Sequence, residues 1–185
     1  MDEDDLKDLR AMNLENFHRL WIKAKADDYN DVTDEDEQLM KIMLDHEDEY
    51  SEIFEKADVL DDDEFGAEAE NNPFMHIIIH SIVENQLEKR QPIEAYQFYL
   101  AMLKKKCPRH EVIHLIAAIF TNFLFRVLKY LEPFDNDGYT HLLKKYKNQN
   151  PHRIWTFLEA YGESEESEEF DLPDSDDDTL FEDFR

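Results

Sequence analysis

Four histidines stand in two pairs, His76 with His80 and His110 with His114, each pair four residues apart. Residues at that spacing share one face of a helix, so each pair can turn two imidazoles toward one point. Neutral imidazole ligates zinc, iron, nickel, copper and manganese. A carboxylate accompanies each pair. Glu84 lies one more step of four beyond His80, and Glu111 completes an H-E-x-x-H with His110 and His114. On a zinc peptidase helix the Glu of that pattern is the general base. E-x-x-H is also the repeat of di-iron carboxylate bundles. Neither match is complete. A di-iron bundle wants two such motifs and two further Glu, and a zinc peptidase helix normally sits beside a sheet.

The elements that carry these pairs begin at prolines. Pro73 suits a first helical turn, where its missing N–H has no partner to lose, and the helix it opens is predicted to reach about Arg90. Pro92 opens the next helix, with Tyr96, Phe98, Tyr99, Met102 and Leu103 as its apolar residues. Lys104, Lys105 and Lys106 suit its negative end. Pro108 opens a third helix, predicted to run to about Leu131 before Pro133. Short connections favour antiparallel neighbours, so the first and third of these helices are expected to run parallel. His76 and His80 are three and seven residues past Pro73, and His110 and His114 two and six past Pro108. At about 1.5 Å per residue the pairs lie at nearly equal depth, and four imidazoles are expected to converge. Four buried imidazoles would be hard to satisfy by hydrogen bonds alone, which favours ligation. The expected ligands are His76, His80, His110 and His114. Glu84 is a further ligand or a group that orients one, and zinc is placed ahead of iron, manganese or nickel.

The rest of the chain reads as all-α, a small bundle of about six helices. Leu6, Leu9, Phe17, Leu20, Trp21 and Ala24 recur at helical spacing. Thr33 before Asp34, Glu35 and Asp36 reads as an N-cap with an acidic first turn, and Leu39, Met43, Tyr50, Ile53 and Phe54 mark the buried stripe that follows. The stretch from Asp58 to Asn72 loses this period and reads as an acidic linker or loop. A short helix near Tyr139–Lys147 and another after Pro151, with Ile154, Trp155 and Leu158, complete a single domain over residues 1–162. Residues 163–185, acidic and Ser-rich, read as a disordered tail.

Charge and composition exclude several classes. The 185 residues carry a formal net charge of −26, which argues against phosphate-backbone contacts to nucleic acid and against anionic lipid. That charge is uneven: −19 over residues 1–70, +4 over 71–162 and −11 over 163–185. One cysteine excludes a disulfide framework, and three glycines leave no phosphate-binding Gly loop. No basic n-region or apolar run marks the start as a signal peptide, so a cytoplasmic protein is expected. From Val112 to Phe125 there is no Asp, Glu, Lys or Arg. That run is short of the about 20 residues of a membrane span and reads as a core helix or an interface, compatible with a homo-oligomer.

The remaining histidines read more plainly. His46 lies on the Leu39–Met43–Tyr50 stripe, within reach of the site but more simply a core or boundary residue. His18, beside Phe17 and Trp21, gets the same reading, and His141 and His152 read as surface residues. Cys107 reads as a bystander, and Phe120, Phe123 and Phe125 as core. Phe170, Leu172, Leu180, Phe181 and Phe184 are either a docking motif or incidental to a solvating tail.

Asn72-Pro73-Phe74-Met75-His76, with His80 and then Glu84-Asn85-Gln86-Leu87, resembles the N-P-F-x-H-x-x-x-H-x-x-x-x-x-Q block of domain-of-unknown-function family 1841. Pro92 followed by His110-Glu111-x-x-His114 is similar to that family's second block, and the aromatic first helix and Glu49-Tyr50 are similar as well. The resemblance spans roughly residues 6 to 147. It implies a small helical bacterial protein and no established activity. Three functions stand beside one another at this point. The first is a helical-bundle metal-binding protein with a His-rich site. The second is a metal-dependent hydrolase in which three His hold Zn²⁺ and Glu111 is the base. The third is a non-catalytic protein whose acidic tail meets a basic partner while its histidines are structural.

Overall fold

A computed structural model describes residues 3–60 and 72–162; the side chains of residues 3–11, 157 and 159–162 fall outside that description. Among the described residues there are eight α-helices and no strand. They are α1 (Glu3–Lys25), α2 (Asp34–Asp45), α3 (Glu47–Phe54), α4 (Pro73–Lys89), α5 (Ile93–Lys104), α6 (Arg109–Tyr130), α7 (Asn136–Tyr146) and α8 (Pro151–Gly162). A 3-10 turn at Ala57–Val59 follows α3. The chain forms two compact units, Met1–Lys89 and Arg90–Arg185.

In the first unit α1 packs on α2, α3 and the 3-10 turn, and α2 packs on α3 and α4. Phe17, Leu20, Trp21 and Ala24 are buried, as their spacing predicts. Leu6 and Leu9 lie outside the described side chains. Trp21 and Phe54 are fully buried with ring centroids 5.4 Å apart, and Phe17 meets Phe74 at 5.0 Å. Thr33 caps α2 in a full capping box: its hydroxyl accepts from the Asp36 N–H, and Asp36 returns to the Thr33 backbone. The buried side of α2 is Met40, Ile42 and Met43; Met43 is buried as its spacing predicts, while Leu39 is only half-buried.

The sequence runs helically from Thr33 through Phe54, but the structure interrupts it at His46, which ends α2 and begins α3. No Gly or Pro marks that break. The Pro73 helix begins as expected, with Asn72 as its cap: the Asn72 side chain accepts from the Met75 N–H at 2.9 Å. The proposed loop lies largely in residues 61–71 and the acidic tail wholly in 163–185, both outside the described residues.

In the second unit α5 packs on α6 and α7, and α6 on α7 and α8. Val112, Ile113, Leu115, Ile116, Ile119, Phe120 and Phe123 of α6 are buried. Phe125 is exposed, against its reading as core. By length and composition α6 alone among the described helices could cross a membrane, a property it shares with the core helix of a globular unit. It ends at Leu131 in the left-handed conformation, two residues before Pro133. The helix α7 starts three residues earlier than expected because Asp135 caps it, accepting from the Gly138 N–H at 2.9 Å. Its Tyr139 meets Phe120, Phe123 and Phe134 at centroid distances of 5.7–5.9 Å.

Candidate metal centre

The first unit brings three imidazoles together. His76 and His80 stand one turn apart on α4 with ring centroids 4.5 Å apart, as their spacing requires. His46 adds a third: its ring lies 4.8 Å from that of His76 and 4.6 Å from that of His80, nearly perpendicular to both. His46 and His80 are each 2 % exposed. A ring nitrogen of His46 lies within 4.8 Å of one of His80. The closest approach is Nε2 of His46 to Nε2 of His76 at 3.0 Å. Two imidazole nitrogens on one first-row ion, each about 2.0–2.1 Å from it at octahedral to tetrahedral angles, stand about 2.8–3.4 Å apart.

The helix break at His46 prepares this geometry. A helix end leaves its last carbonyls without helical partners. At the end of α2 the His46 N–H turns to Met43, and Nδ1 of His46 lies 2.8 Å from the Ile42 carbonyl oxygen. A carbonyl only accepts, so Nδ1 carries the ring proton and Nε2 keeps its lone pair toward His76 and His80. That arrangement, one ring nitrogen fixed on the backbone and the other presented, is how ligand histidines are usually held. With no ion bound, Nε2–H of His76 donates to Nε2 of His46; to ligate through Nε2, His76 carries its proton on Nδ1 instead.

The register between α2 and α4 is held by amide and hydroxyl groups. Gln38 accepts through Oε1 from the Ser81 hydroxyl at 2.9 Å and from the Asn85 amide at 3.3 Å. Residue 38 thus meets 81 and 85 while residue 46 meets 76 and 80, so α2 and α4 run antiparallel. Tyr50 on α3 closes one side, its ring stacked 6.1 Å from His46 and edge-on at 5.6 Å from His76. Burial, and then the carboxylate of Glu49, push its phenol above its usual range, so Tyr50 stays neutral. Glu84 is half-buried further along α4.

The second unit holds the other expected pair. His110 and His114 occupy the first two turns of α6, both half-buried, with centroids 4.3 Å apart in an edge-to-face contact. A ring nitrogen of one lies within 4.8 Å of one of the other. Glu111 is exposed, and its Oε2 accepts from the thiol of Cys107 at 3.6 Å. Burial and then Glu111 raise the thiol's pKa, so Cys107 is a proton donor at neutral pH. His141 and His152 are exposed, as read from the sequence. His18 is a boundary residue, its Nδ1 3.3 Å from the Phe54 carbonyl oxygen and 3.5 Å from Asp58.

The family model for the domain of unknown function DUF1841 matches residues 8–145, three quarters of the chain. The chain belongs to the DUF1841 family. The matched span carries all five imidazoles of the two clusters, together with Asn72, which caps the helix of one, and Pro108, which opens that of the other. No curated protein and no solved structure matches this DUF1841 chain. Sequence reasoning placed His76, His80, His110 and His114 in the correct pairs. His46, expected as a core or boundary residue within reach of the site, is buried as expected and stands beside the α4 pair. The usable signal was its place on the apolar side of α2 between Ile42 and Tyr50, where an imidazole needs polar partners.

Proposed function

We propose that this protein binds a divalent transition metal through its imidazoles, with His46, His76 and His80 as the ligands of the first unit. The 3.0 Å approach of two Nε2 atoms, one of them oriented by the Ile42 carbonyl, carries this reading. His110 and His114 are the ligand pair of the second unit, and Glu84 orients an imidazole of α4 or joins the shell. An all-imidazole set suits zinc and also accepts iron, nickel or manganese, so zinc is the first metal to try. A bound ion would tie α2 to α4 and fix the break between α2 and α3. The protein is proposed to act within the cytoplasm.

Protein made without a polyhistidine tag should contain transition metal by mass spectrometry, or take it up near stoichiometrically after metal removal and reloading. Only traces of every transition metal after reloading would overturn the proposal. The hydrolase reading, with Glu111 as base, gains no support from its carboxylate, which is exposed and receives the Cys107 thiol.

A further inference from the structure

The second unit carries a groove of about 440 Å³ lined by Gln97, Leu100, Ala101, Lys104, Lys105 and Lys147, with Asn148 at its edge. Its apolar lining is Leu100 and Ala101, and its charged lining is Lys104, Lys105 and Lys147. Lys105 holds one wall, its ammonium donating to the carbonyls of Lys147 at 2.8 Å and Gln149 at 2.5 Å. Lys147 in turn reaches Gln97 Oε1 at 3.4 Å across from α7 to α5. Two long cationic side chains are therefore fixed along the groove and do not simply sweep through solvent.

We propose that this groove receives the chain's own segment 163–172, with Phe170 and Leu172 on Leu100 and Ala101 and the acids around them against Lys104, Lys105 and Lys147. Three observations argue for that occupant. Charge is the first: residues 163–185 hold 12 acids and one base, and the groove's charged lining is entirely lysine. Pattern is the second, since E-E-F-D-L places two apolar side chains among acids, matching a lining of apolar residues and cations. Reach is the third. The helix α8 leaves from Pro151, three residues beyond Asn148, and its 12 residues span about 18 Å. Phe170 is eight steps along the chain from Gly162, and at about 3.3 Å each they can extend about 26 Å, more than the length of α8. Docking here would cover lysines that otherwise face acidic partners, so the tail competes in cis for its own unit's basic face. This inference is independent of the metal reading.

Zero-length carbodiimide coupling of the full chain, with the cross-linked peptides mapped by mass spectrometry, tests it. An equal mixture of isotopically light and heavy protein separates links within a chain from links between chains. The expected result is that acids of 163–172 couple within one chain to Lys104, Lys105 and Lys147 several-fold more than to other lysines. High salt should lower that yield by shortening the screening length, and Phe170→Ser with Leu172→Ser should lower it several-fold at low salt. Coupling spread evenly over all lysines, indifference to the Phe170 and Leu172 substitutions, or light–heavy links to the same lysines would each overturn the proposal, the last by assigning the groove to a second copy.

Discussion

Nε2 of His46 stands 3.0 Å from Nε2 of His76, while Nδ1 of the same His46 ring lies 2.8 Å from the Ile42 carbonyl oxygen. The two contacts are linked. The carbonyl settles which nitrogen of His46 carries the proton, and so which lone pair faces α4. The cost is a helix interrupted at His46. Breaking α2 there gives up helical continuity and leaves the Ile42 carbonyl to hold the His46 ring.

Metal binding should appear in stability. An ion bound only by the folded chain stabilises it by RT ln(1 + [L]/Kd), about 2.7 kcal/mol at a hundredfold excess over Kd. Imidazole ligates when neutral and ordinarily titrates near 6.5, so protons compete below that pH. Zinc is expected to raise the melting temperature at pH 7.5 and to do much less at pH 5. His46→Ala and His80→Ala should remove most of the increment, while His141→Ala should leave it. Equal loss in all three variants would assign the effect to scattered surface binding.

Leu131 ends α6 at φ 55° and ψ 30° and is 89 % exposed. An L side chain in that region costs about 1–2 kcal/mol, and glycine avoids it. Glycine also loosens the unfolded chain by about 0.4–1 kcal/mol. Leu131→Gly should therefore stabilise the protein by up to about 1 kcal/mol, read from denaturant midpoints at unchanged slope. A destabilised variant would show that Leu131 makes contacts its exposure does not reveal.

Gly138 sits where a side chain has no room. A Cβ there would lie 2.4 Å from the Asp135 carboxylate that caps α7 and 2.9 Å from the Phe123 ring. Gly138→Ala should push the cap off the helix and strain the Phe123–Tyr139 contact, at a cost of about 1–3 kcal/mol in unfolding free energy. Wild-type stability in that variant would contradict the close packing of Asp135 and Phe123 on residue 138.

Asp28 closes the turn after α1. It accepts from Lys23 Nζ at 2.8 Å and from the Asn30 backbone and side-chain N–H groups at 3.1 and 2.7 Å. Those bonds, Lys23 first, lower its pKa from 3.8 to about 2. A carboxyl with a depressed folded pKa contributes stability above its unfolded value and loses it as pH falls through the folded value. The stability difference between wild type and Asp28→Asn should thus be constant above about pH 5 and shrink as pH falls toward 2. NMR titration of the Asp28 carboxyl at an ordinary value would refute the assignment.

Much of this was legible in the residues themselves. Pro73, Pro108 and Pro133 set boundaries because proline either suits a first turn or cannot continue a helix. Spacing of four paired the histidines because that spacing is a property of any helix. The break at His46 was not legible, since Asp45-His46-Glu47 contains nothing that forbids helix. Phe54 of α3 packs on Trp21 and Phe74, with ring centroids 5.4 and 6.1 Å away, contacts between residues distant in sequence. With α2 and α3 read as one helix, His46 looked like one more buried position on a stripe. Phe125 misled in the opposite sense, because an uncharged run says nothing of where burial stops along it.

Metal content across histidine variants decides whether these imidazoles hold an ion. Tag-free wild type, His46→Ala, His80→Ala, His114→Ala and His141→Ala would be stripped, reloaded with zinc, freed of excess ion and measured by mass spectrometry. Bound zinc is expected in wild type and His141→Ala, and its loss from the first unit's site in His46→Ala and His80→Ala. The His114→Ala value reports the second unit's pair, and the sequence expectation that all four imidazoles converge predicts loss there as well. Wild-type protein that retains only traces, or His46→Ala and His80→Ala that both retain the full wild-type content, would contradict metal binding at the first unit's site.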